Sequence, residues 1–502
     1  MSDNAYLKVL RNNIAAVRMI VETVAPTLGP KGLDVLLTDE AGRITITNDG
    51  VEILRQLDAQ HPAARLVAQA ADAQDRAVGD GTTTATVLAG ALLDAALVSI
   101  EQGVSINPLL TGMRQGIQCG VEALKQQAQT IVSFDDPLLL QVTEVAARGD
   151  KALAQVVWEA ARRIGVERLS TGSLRLGDLV LAETGGVHHW IDGVLIGKRP
   201  LFLPADGWLR TGKVLVLGDA LEPEGLDAQA LSTEGGFNRF VETQNRLRQE
   251  IHQLVQSEVV LVVCEKTIAP LAEECLAEAG ILALQRTLSR DTQRICQFSG
   301  AQVARRSMLS QDFANWLGKA EVSYEPIGQR VILKAGGGQP LATILVGAHS
   351  ADVAAEQERV AIDACGALQA ALKGGVVTGG GVAEFVCAQV IQGQLAHTEG
   401  LTRYGMQVVA IALRRPIEQI VANSGYSALE KVANLESTHQ RTQNQHLGID
   451  CESGEIANLW TMGIVDPLTV KTNALQAAGE IAERILRIQT VVRRREFPPE
   501  GV

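Results

Sequence analysis

Four short turns in this sequence combine glycine with carboxylate or hydroxyl side chains, which are groups that can bind phosphate and divalent cations. The turns are Gly29-Pro30-Lys31-Gly32, Asn48-Asp49-Gly50, Gly79-Asp80-Gly81 followed by Thr82-Thr83-Thr84, and Gly379-Gly380-Gly381. Glycine lets backbone N–H groups approach phosphate oxygens closely, and the N-terminus of a helix favours an anion. An aspartate such as Asp80 at a helix start adds a negative charge, which Mg²⁺ shared with phosphate oxygens would offset. Each turn alone is a weak signal.

The two common nucleotide-binding motifs do not account for these turns. A Walker A loop requires G-x-x-x-x-G-K-[ST], and the nearest string, from Gly193 to Arg199, has the wrong spacing and no hydroxyl. A dinucleotide-binding loop requires G-x-G-x-x-G, and Thr84 stands where its last glycine belongs. A phosphate site in this chain therefore has to be assembled from separate turns.

The composition argues against several classes of protein. The chain has 502 residues, 46% of them hydrophobic, which is enough for about three domains with packed cores. Its net charge of −12 is unfavourable for contact with a phosphate backbone, so we expect no nucleic-acid partner. The most apolar long stretch, Thr84 to Ile100, contains Asp94 and is shorter than the ~20 residues of a membrane span. We therefore expect a buried helix and no membrane association.

The cysteines and histidines do not form a metal-binding pattern. The seven cysteines are scattered without a C-x-x-C pair, and the adjacent His188 and His189 have no further ligand at a metal-like spacing. Free thiols suit a reducing compartment, so we expect a cytoplasmic protein.

The periodicity of apolar residues predicts helices at both ends of the chain. One helix is expected from Leu7 to Val24, ended by Pro26, and another follows the stripe from Leu475 to Val492. Two apolar runs flanking residues 39–42 predict a β-hairpin. Threonine suits a helix N-cap, so we expect Thr82, Thr83 and Thr84, after the turn Gly79-Asp80-Gly81, to open a long helix.

The middle of the chain, from about residue 179 to 346, alternates short apolar strands with helices, which predicts an inserted α/β domain. Within it, Ser232 to Gln256 has an apolar face that includes Phe237, Phe240, Leu247 and Ile251, opposite a charged face. Two interpretations of this amphipathic helix remain open. Its apolar face packs on its own domain, or it meets a partner.

Together the motifs resemble those of the chaperonin family. The resemblance is carried by the strings LGPKGLDVLL, ITNDGVEIL, VGDGTTTATVLAG, VVTGGGVAE and GIVDPLTVKTNALQAAGEIAERILRI, and it extends from about residue 5 to residue 492. Asn48 before Asp49 and the end of the last string look like the thermosome-like group II branch, which a bacterial group III chaperonin also resembles. The resemblance implies an ATPase coupled to protein folding. Such a chaperonin binds unfolded proteins and encloses them in a double ring beneath a built-in lid, without a separate co-chaperonin cap.

The resemblance also implies a multidomain α+β chaperonin fold. It consists of a discontinuous, mostly helical equatorial domain, a small intermediate domain and an α/β apical domain with a helical lid protrusion. The expected ranges are 1–133 and 376–502 for the equatorial domain, 134–190 and 343–375 for the intermediate domain, 191–342 for the apical domain and about 221–256 for the protrusion. Exposed apolar patches often mark binding surfaces, so client or lid contacts are expected at Phe237, Phe240, Leu247 and Ile251.

Roles in ATP and Mg²⁺ binding carry over from the family to individual positions. Asp49 and Asp363 would position and polarise the attacking water, and Asp80 would bind Mg²⁺. The nucleotide-binding positions would be Leu28, Gly29 and Pro30 at the phosphates and base, Gly81, Thr82, Thr83 and Thr84 at the phosphates, and Gly380 and Asp466 at the ribose.

One departure from the family pattern concerns the lysine that senses the γ-phosphate in group II chaperonins. An ungapped comparison puts Asp150 at that position, so Arg148 or Lys151 would have to substitute.

Two other functions compete with the chaperonin hypothesis. One is a nucleotide-binding ring scaffold or holdase with little hydrolysis, and the other is a small-molecule kinase with an unrelated phosphate site.

Overall fold

Helices dominate both ends of the chain, and a mixed sheet occupies the middle. The computed structural model describes residues 2–38, 44–57, 61–204, 207–223, 234–311 and 313–490. The chain divides into two units. The first comprises Met1–Trp158, Val166–Asp178 and Ala348–Val502, and the second comprises Glu159–Gly165 and Leu179–Gly347. The expected apical range falls inside the second unit, and the separation of a further, intermediate domain stays a prediction.

The N-terminal part of the chain is helical apart from one hairpin. Its elements are α1 (Ser2–Val24), β1 (Val35–Thr38), β2 (Ile44–Thr47), α2 (Gly50–Gln56), α3 (Pro62–Val78), α4 (Thr82–Glu101), α5 (Ile106–Gln127), α6 (Pro137–Ala146), α7 (Lys151–Ile164) and α8 (Val166–Ser170). The antiparallel hairpin pairs Val35 with Thr47, as the sequence predicts. The first helix ends two residues before Pro26, also as predicted.

The middle part alternates strands with helices. Its elements are β3 (Val180–Thr184), β4 (His189–Asp192), β5 (Val194–Ile196), β6 (Leu209–Leu217), α9 (Glu234–Gln256), β7 (Val259–Cys264), α10 (Pro270–Glu278), β8 (Leu282–Leu284), α11 (Ser289–Ser299), β9 (Val303–Ala304), β10 (Gly318–Glu325), β11 (Arg330–Lys334) and β12 (Ala342–Ala348).

The C-terminal part returns to helices. Its elements are α12 (Ala351–Gly374), β13 (Val376–Thr378), α13 (Val382–Gln394), α14 (Thr402–Ala412), α15 (Arg415–Asn423), α16 (Ala428–Thr442), β14 (Leu447–Ile449), β15 (Ile456–Asn458), β16 (Val465–Pro467) and α17 (Leu468–Leu486). Val492, the last position of the predicted C-terminal stripe, lies outside the described residues.

The core of the first unit joins both ends of the chain. Helix α4 contacts α1, α3, α14 and α17, and its Leu88, Leu92 and Leu93 are completely buried. Among the described helices, α4 is the one with the length and apolar composition of a membrane span, and 67% of its apolar window is buried inside the protein. This packing is that of the core helix expected from the sequence.

The second unit is built around a seven-stranded sheet in the order β5-β11-β10-β6-β7-β8, with β9 also paired to β6. Strands β6, β7 and β8 are parallel, and β5, β10 and β11 are antiparallel to their neighbours. All six residues of β7 are buried, as expected for a strand covered on both faces. The α/β character predicted for the middle of the chain is therefore present.

The packing of α4 predicts which substitutions in it destabilise the first unit. Leu92→Ala removes a fully buried side chain and should cost about 2–5 kcal/mol, whereas Val98→Ala, at a position 54% exposed, should change stability by less than about 0.5 kcal/mol. The measurement is the apparent melting temperature of each variant by circular dichroism. Equal melting temperatures for the two variants would contradict this placement of α4.

Candidate nucleotide-binding site

Close contacts bring the predicted phosphate-binding turns together in the first unit. A methyl group on Gly50 would lie 2.4 Å from Thr83 Oγ1, so the start of α2 abuts the start of α4. A methyl group on Gly366, in α12, would lie 2.9 Å from the carbonyl oxygen of Val78 and 3.5 Å from Gly79 Cα. Helix α12 therefore reaches the glycine turn that precedes α4.

A second set of contacts brings the expected ribose and base positions to the same region. A methyl group on Gly81 would lie 2.6 Å from Val470, in the first turn of α17. Helix α15 contacts two glycine turns, since methyl groups on Gly381 and Gly29 would lie 2.7 Å from the backbone nitrogen of Ile417 and 3.1 Å from Ile420. These contacts join turns that are hundreds of residues apart in sequence.

The N-terminus of α4 is open to an anion. Its N-cap is Gly81, in the left-handed region at φ 79°, and no side chain caps the helix. This corrects the expectation that a threonine provides the cap, because the helix already begins at Thr82. The first N–H groups of a helix have no intrahelical acceptor, so here they remain available to phosphate oxygens.

Asp80 lies in the turn before this helix. Its Oδ1 accepts a hydrogen bond from the Gly81 backbone N–H, and its carbonyl oxygen accepts one from Gln74 Nε2 at 3.0 Å. Burial raises the pKa of Asp80 to about 6, and the charges of Asp466 and Asp49 act in the same direction. The site therefore disfavours the charged carboxylate as long as no cation is present.

Asp49 and Asp363 face the same region from two other helices. Asp49 is the N-cap of α2 and accepts a hydrogen bond from Val51 N–H at 2.9 Å, so the turn expected from the sequence is a helix start. Burial raises the pKa of Asp49. Burial and the charges of Asp80 and Asp49 raise the pKa of Asp363, on α12, well above its usual value. The three carboxylates therefore form one electrostatic cluster.

Two observations fit the binding of Mg²⁺ together with a phosphate. The clustered carboxylates carry negative charge that a cation would neutralise, and the buried Asn48 Oδ1 accepts no hydrogen bond from the described residues. No group of three His, Cys, Asp or Glu side chains within the described ranges is placed to cage a metal. Beside a nucleotide, Mg²⁺ is held by one or two carboxylates and the phosphates themselves.

The turn that contains Leu28, Gly29 and Pro30 is fixed from α15. Asn423 Nδ2 donates hydrogen bonds to the carbonyl oxygens of Ala25 and Leu28, at 2.9 and 2.8 Å. Sequence reasoning did not identify Asn423, because a single asparagine in a helix carries no motif. Its two bonds hold the turn in place at the expected base side.

A buried charge cluster beside the glycine turn Gly379–Gly381 was also missed. Lys471 Nζ lies 2.8 Å from Glu384 Oε1 and 2.8 Å from Asp466 Oδ2. Of these, only Asp466 was expected at the site. The lysine occurs inside one of the family-like strings, but its partners are distant in sequence, so no local pattern indicates the ion pairs.

Arg148, one of the two residues expected to substitute for the lysine that senses the γ-phosphate, forms a salt bridge. Arg148, at φ 55°, pairs with Glu356 at 2.8 Å, and its charge acts on the pKa of Asp363. Asp150 instead accepts a hydrogen bond from Leu153 N–H at the start of α7. Both candidates, Arg148 and Lys151, are exposed, and of the two it is Arg148 whose charge acts on the pKa of Asp363.

The expected client residues on α9 separate into two groups. Phe237 and Phe240 are exposed, at 59% and 36%. Leu247 and Ile251 are instead buried in the core of the second unit, with Leu254, so they are corrected from client-binding to core residues. The core-packing interpretation is therefore confirmed for the half of the helix that carries Leu247 and Ile251, and a partner contact at the exposed half stays a prediction. Residues 224–233 of the expected protrusion lie outside the described residues.

Comparisons with known proteins all lead to chaperonins. Residues 20–496 match the model of the TCP-1/cpn60 chaperonin family. The chain is 33% identical to a thermosome subunit of Methanopyrus kandleri, covering 97% of this chain and 92% of that protein. It is 32% identical to thermosome subunit alpha of Archaeoglobus fulgidus, covering 98% and 94%. It also resembles the crystal structure of a group III chaperonin in the open state, with a TM-score of 0.88 and 35% identity over 97% of this chain and 99% of that one.

The raised pKa of Asp80 predicts a pH-dependent effect of neutralising it. The folded protein binds the Asp80 proton more tightly than the unfolded chain, because the folded pKa is about 6 and the ordinary value is 3.8. Stability is therefore lost as pH rises between these values. Asp80→Asn should remove the loss and raise stability at pH 7.5, by on the order of 2 kcal/mol, with little effect near pH 4.

The measurement is the melting temperature of the nucleotide-free protein in a chelator, followed from pH 4 to pH 7.5. Asp94→Asn is the matched control outside the carboxylate cluster, and it should not give a gain that grows with pH. A pH-independent difference between wild type and Asp80→Asn would contradict the electrostatic account.

Proposed function

The chain belongs to the TCP-1/cpn60 chaperonin family, and we propose that it is an ATP-hydrolysing subunit of a chaperonin double ring that encloses unfolded proteins beneath a built-in lid. The observation that supports hydrolysis most directly is the gathering of Asp49, Asp80 and Asp363 at the uncapped start of α4. Asp80 alone would serve as the Mg²⁺ ligand, so the other two carboxylates are available to orient a water molecule.

The substrate in this proposal is ATP, with its phosphates at the N-terminus of α4 and its ribose toward Asp466. Mg²⁺ held by Asp80 would neutralise phosphate charge. The residues of the chain then have two tasks, which are to hold the phosphates in line and to orient a water molecule. Thr82, Thr83 and Thr84 offer hydroxyl and backbone N–H groups for the first task.

Asp363 and Asp49 are suited to the second task. In the hydrolysis step the water oxygen bonds to the γ-phosphorus, the bond from phosphorus to the bridging oxygen breaks, and the water proton passes to a carboxylate. A carboxylate with a raised pKa is a better proton acceptor than an ordinary aspartate. The raised pKa values of Asp363 and Asp49 therefore support their assignment as the groups that orient and polarise the water.

The remaining parts of the proposal follow from the family. Identical or similar subunits would form two stacked rings in the cytoplasm, with no membrane or nucleic-acid partner and no separate cap. Unfolded proteins would bind apolar side chains of the second unit, for which Phe237 and Phe240 are the exposed candidates on α9.

Replacing Asp363 separates this proposal from the alternative of a ring scaffold or holdase with little hydrolysis. Asp363→Ala should lower kcat for ATP hydrolysis by about 100-fold or more, since general-base groups contribute 10²–10⁴-fold, while ATP still binds. The measurement is steady-state phosphate release with saturating ATP and Mg²⁺, together with nucleotide binding by calorimetry.

Glu358→Ala is the matched control, since it removes a carboxylate from α12 at a position about 140° around the helix from Asp363. It should hydrolyse ATP at the wild-type rate. Near-zero rates in wild type and Asp363→Ala alike would favour the scaffold alternative.

The exposed half of α9 gives a test of client binding. Replacing both phenylalanines, Phe237→Ser with Phe240→Ser, should weaken binding of unfolded protein several-fold without lowering the ATPase rate. The measurement is suppression of aggregation of a chemically denatured model protein.

Two variants of the same helix serve as controls. Arg239→Ser changes an exposed polar position between the two phenylalanines and should keep full suppression. Leu247→Ser should instead lower the stability of the second unit, because Leu247 is fully buried. Full suppression by the double phenylalanine variant would exclude these two residues as client contacts.

A further inference from the structure

Lys471 connects the two sides of the glycine turn Gly379–Gly381. It lies in the first turns of α17, while its partner Glu384 lies in the first turn of α13, directly after Gly379–Gly381, and its partner Asp466 lies in β16. Both ion-pair distances are 2.8 Å. One ammonium group thus joins the helix that follows the turn to the strand that runs beside it.

The strand pairing fixes where Asp466 lies. Strand β16 pairs with β13 so that Asp466 is opposite Val377, two residues before Gly379. A methyl group on Gly379 would lie 3.2 Å from the Asp466 carboxylate. The carboxylate therefore lies against the turn itself, and Lys471 holds its Oδ2 oxygen, which leaves Oδ1 to accept a hydrogen bond from a ligand.

Two members of this cluster, Lys471 and Glu384, are buried, whereas the third, Asp466, is partly exposed. The side chains of Lys471 and Glu384 are 9% and 2% exposed, whereas that of Asp466 is 22% exposed. Burial lowers the pKa of Lys471, but the charges and hydrogen bonds of Asp466 and Glu384 more than offset this and raise it, so the ammonium stays charged. A buried ammonium group in two close ion pairs has little freedom, so it orients the more exposed carboxylate.

The cluster is also coupled to the phosphate side of the site. The charge of Asp466 raises the pKa of Asp80, and the charge of Lys471 lowers it. Gln74 adds a physical link, because its Nε2 donates to the carbonyl oxygens of Asp80 and of Val470, the residue before Lys471. The lysine thus contacts the expected ribose contact directly and is linked to the expected Mg²⁺ ligand through Val470 and Gln74.

We propose that Lys471 is a positioning residue for nucleotide selection, which holds the Asp466 carboxylate in the orientation that accepts a hydrogen bond from a ribose hydroxyl. The ligand class is a ribonucleoside triphosphate, as opposed to its deoxyribose counterpart. This inference rests on the proposed ATP site. It assigns to Lys471 and Glu384 a role in choosing the sugar, beyond binding of the phosphates.

Replacing Lys471 should change the preference for ATP over its deoxy analogues more than the affinity for ATP itself. A site built to bond a hydroxyl disfavours an analogue that lacks it, because the acceptor is then left unpaired. Wild-type protein should bind ATP at least several-fold more tightly than either 2′-deoxy-ATP or 3′-deoxy-ATP. In Lys471→Met, Asp466 loses its fixed orientation. The affinity for ATP and the affinity for whichever deoxy analogue the wild type disfavours should then become equal within about twofold.

The experiment measures the Kd of the full-length assembled protein for ATP, 2′-deoxy-ATP and 3′-deoxy-ATP, with Mg²⁺ under non-hydrolysing conditions. Lys471→Arg keeps the charge and should retain part of the discrimination. Glu384→Gln removes one of the two anchors of the lysine and should give an intermediate ratio, which keeps the test decisive if Lys471→Met does not fold. Arg487→Met, at an exposed position beyond the end of α17, is the matched control and should keep the wild-type ratio.

Each outcome has one meaning. If Lys471→Met and Glu384→Gln weaken all three nucleotides by the same factor, Lys471 is only structural and the inference is overturned. If wild type binds ATP and its deoxy analogues equally, the inference is also overturned, while the ATP site stands. If wild type binds none of the three, the proposed ATPase function fails as well.

Discussion

Mutual repulsion among three partly buried carboxylates is the constraint that the fold of the first unit has to overcome. Asp49, Asp80 and Asp363 come from three separate elements and meet where water is partly excluded, so each raises the cost of ionising its neighbours. Such a cluster is unfavourable for the fold on its own. It persists because the helices that carry it are fixed by a large apolar core, and its negative charge is what a cation with a triphosphate would neutralise.

Glycine makes this convergence sterically possible. At Gly50, Gly81, Gly366 and Gly381 the neighbouring segment approaches so closely that a side chain would have to displace backbone or buried atoms. The same small residues leave backbone N–H groups uncovered at the start of α4. Glycine therefore does two things at this site: it lets segments of the chain pack closely, and it lets an anion reach the backbone.

The sequence allowed much of this arrangement to be predicted, and the failures have physical reasons. Helix α1, the first hairpin and the α/β middle follow from periodicity, which is a local property. The glycine turns were identified locally, but their meeting depends on helix packing. Leu247 and Ile251 were misassigned because an apolar helical face looks the same whether it covers a core or a partner. Lys471 and Asn423 were missed because buried polar partners are defined only by tertiary contacts.

Helix α12 carries Asp363 far from the C-terminal end of the helix. It runs without interruption from Ala351 to Gly374, and Gly375 follows it at φ 84°, where Gln129 pairs with Val376. Asp363 is eleven residues from that end, or about 16 Å along the axis at 1.5 Å per residue. A tilt of about 5° around the glycine pair would move the carboxylate by about 1.4 Å, which is enough to make or break a hydrogen bond. If Asp363 orients the attacking water as proposed, a small angular change of α12 would therefore decide whether the carboxylate reaches that water.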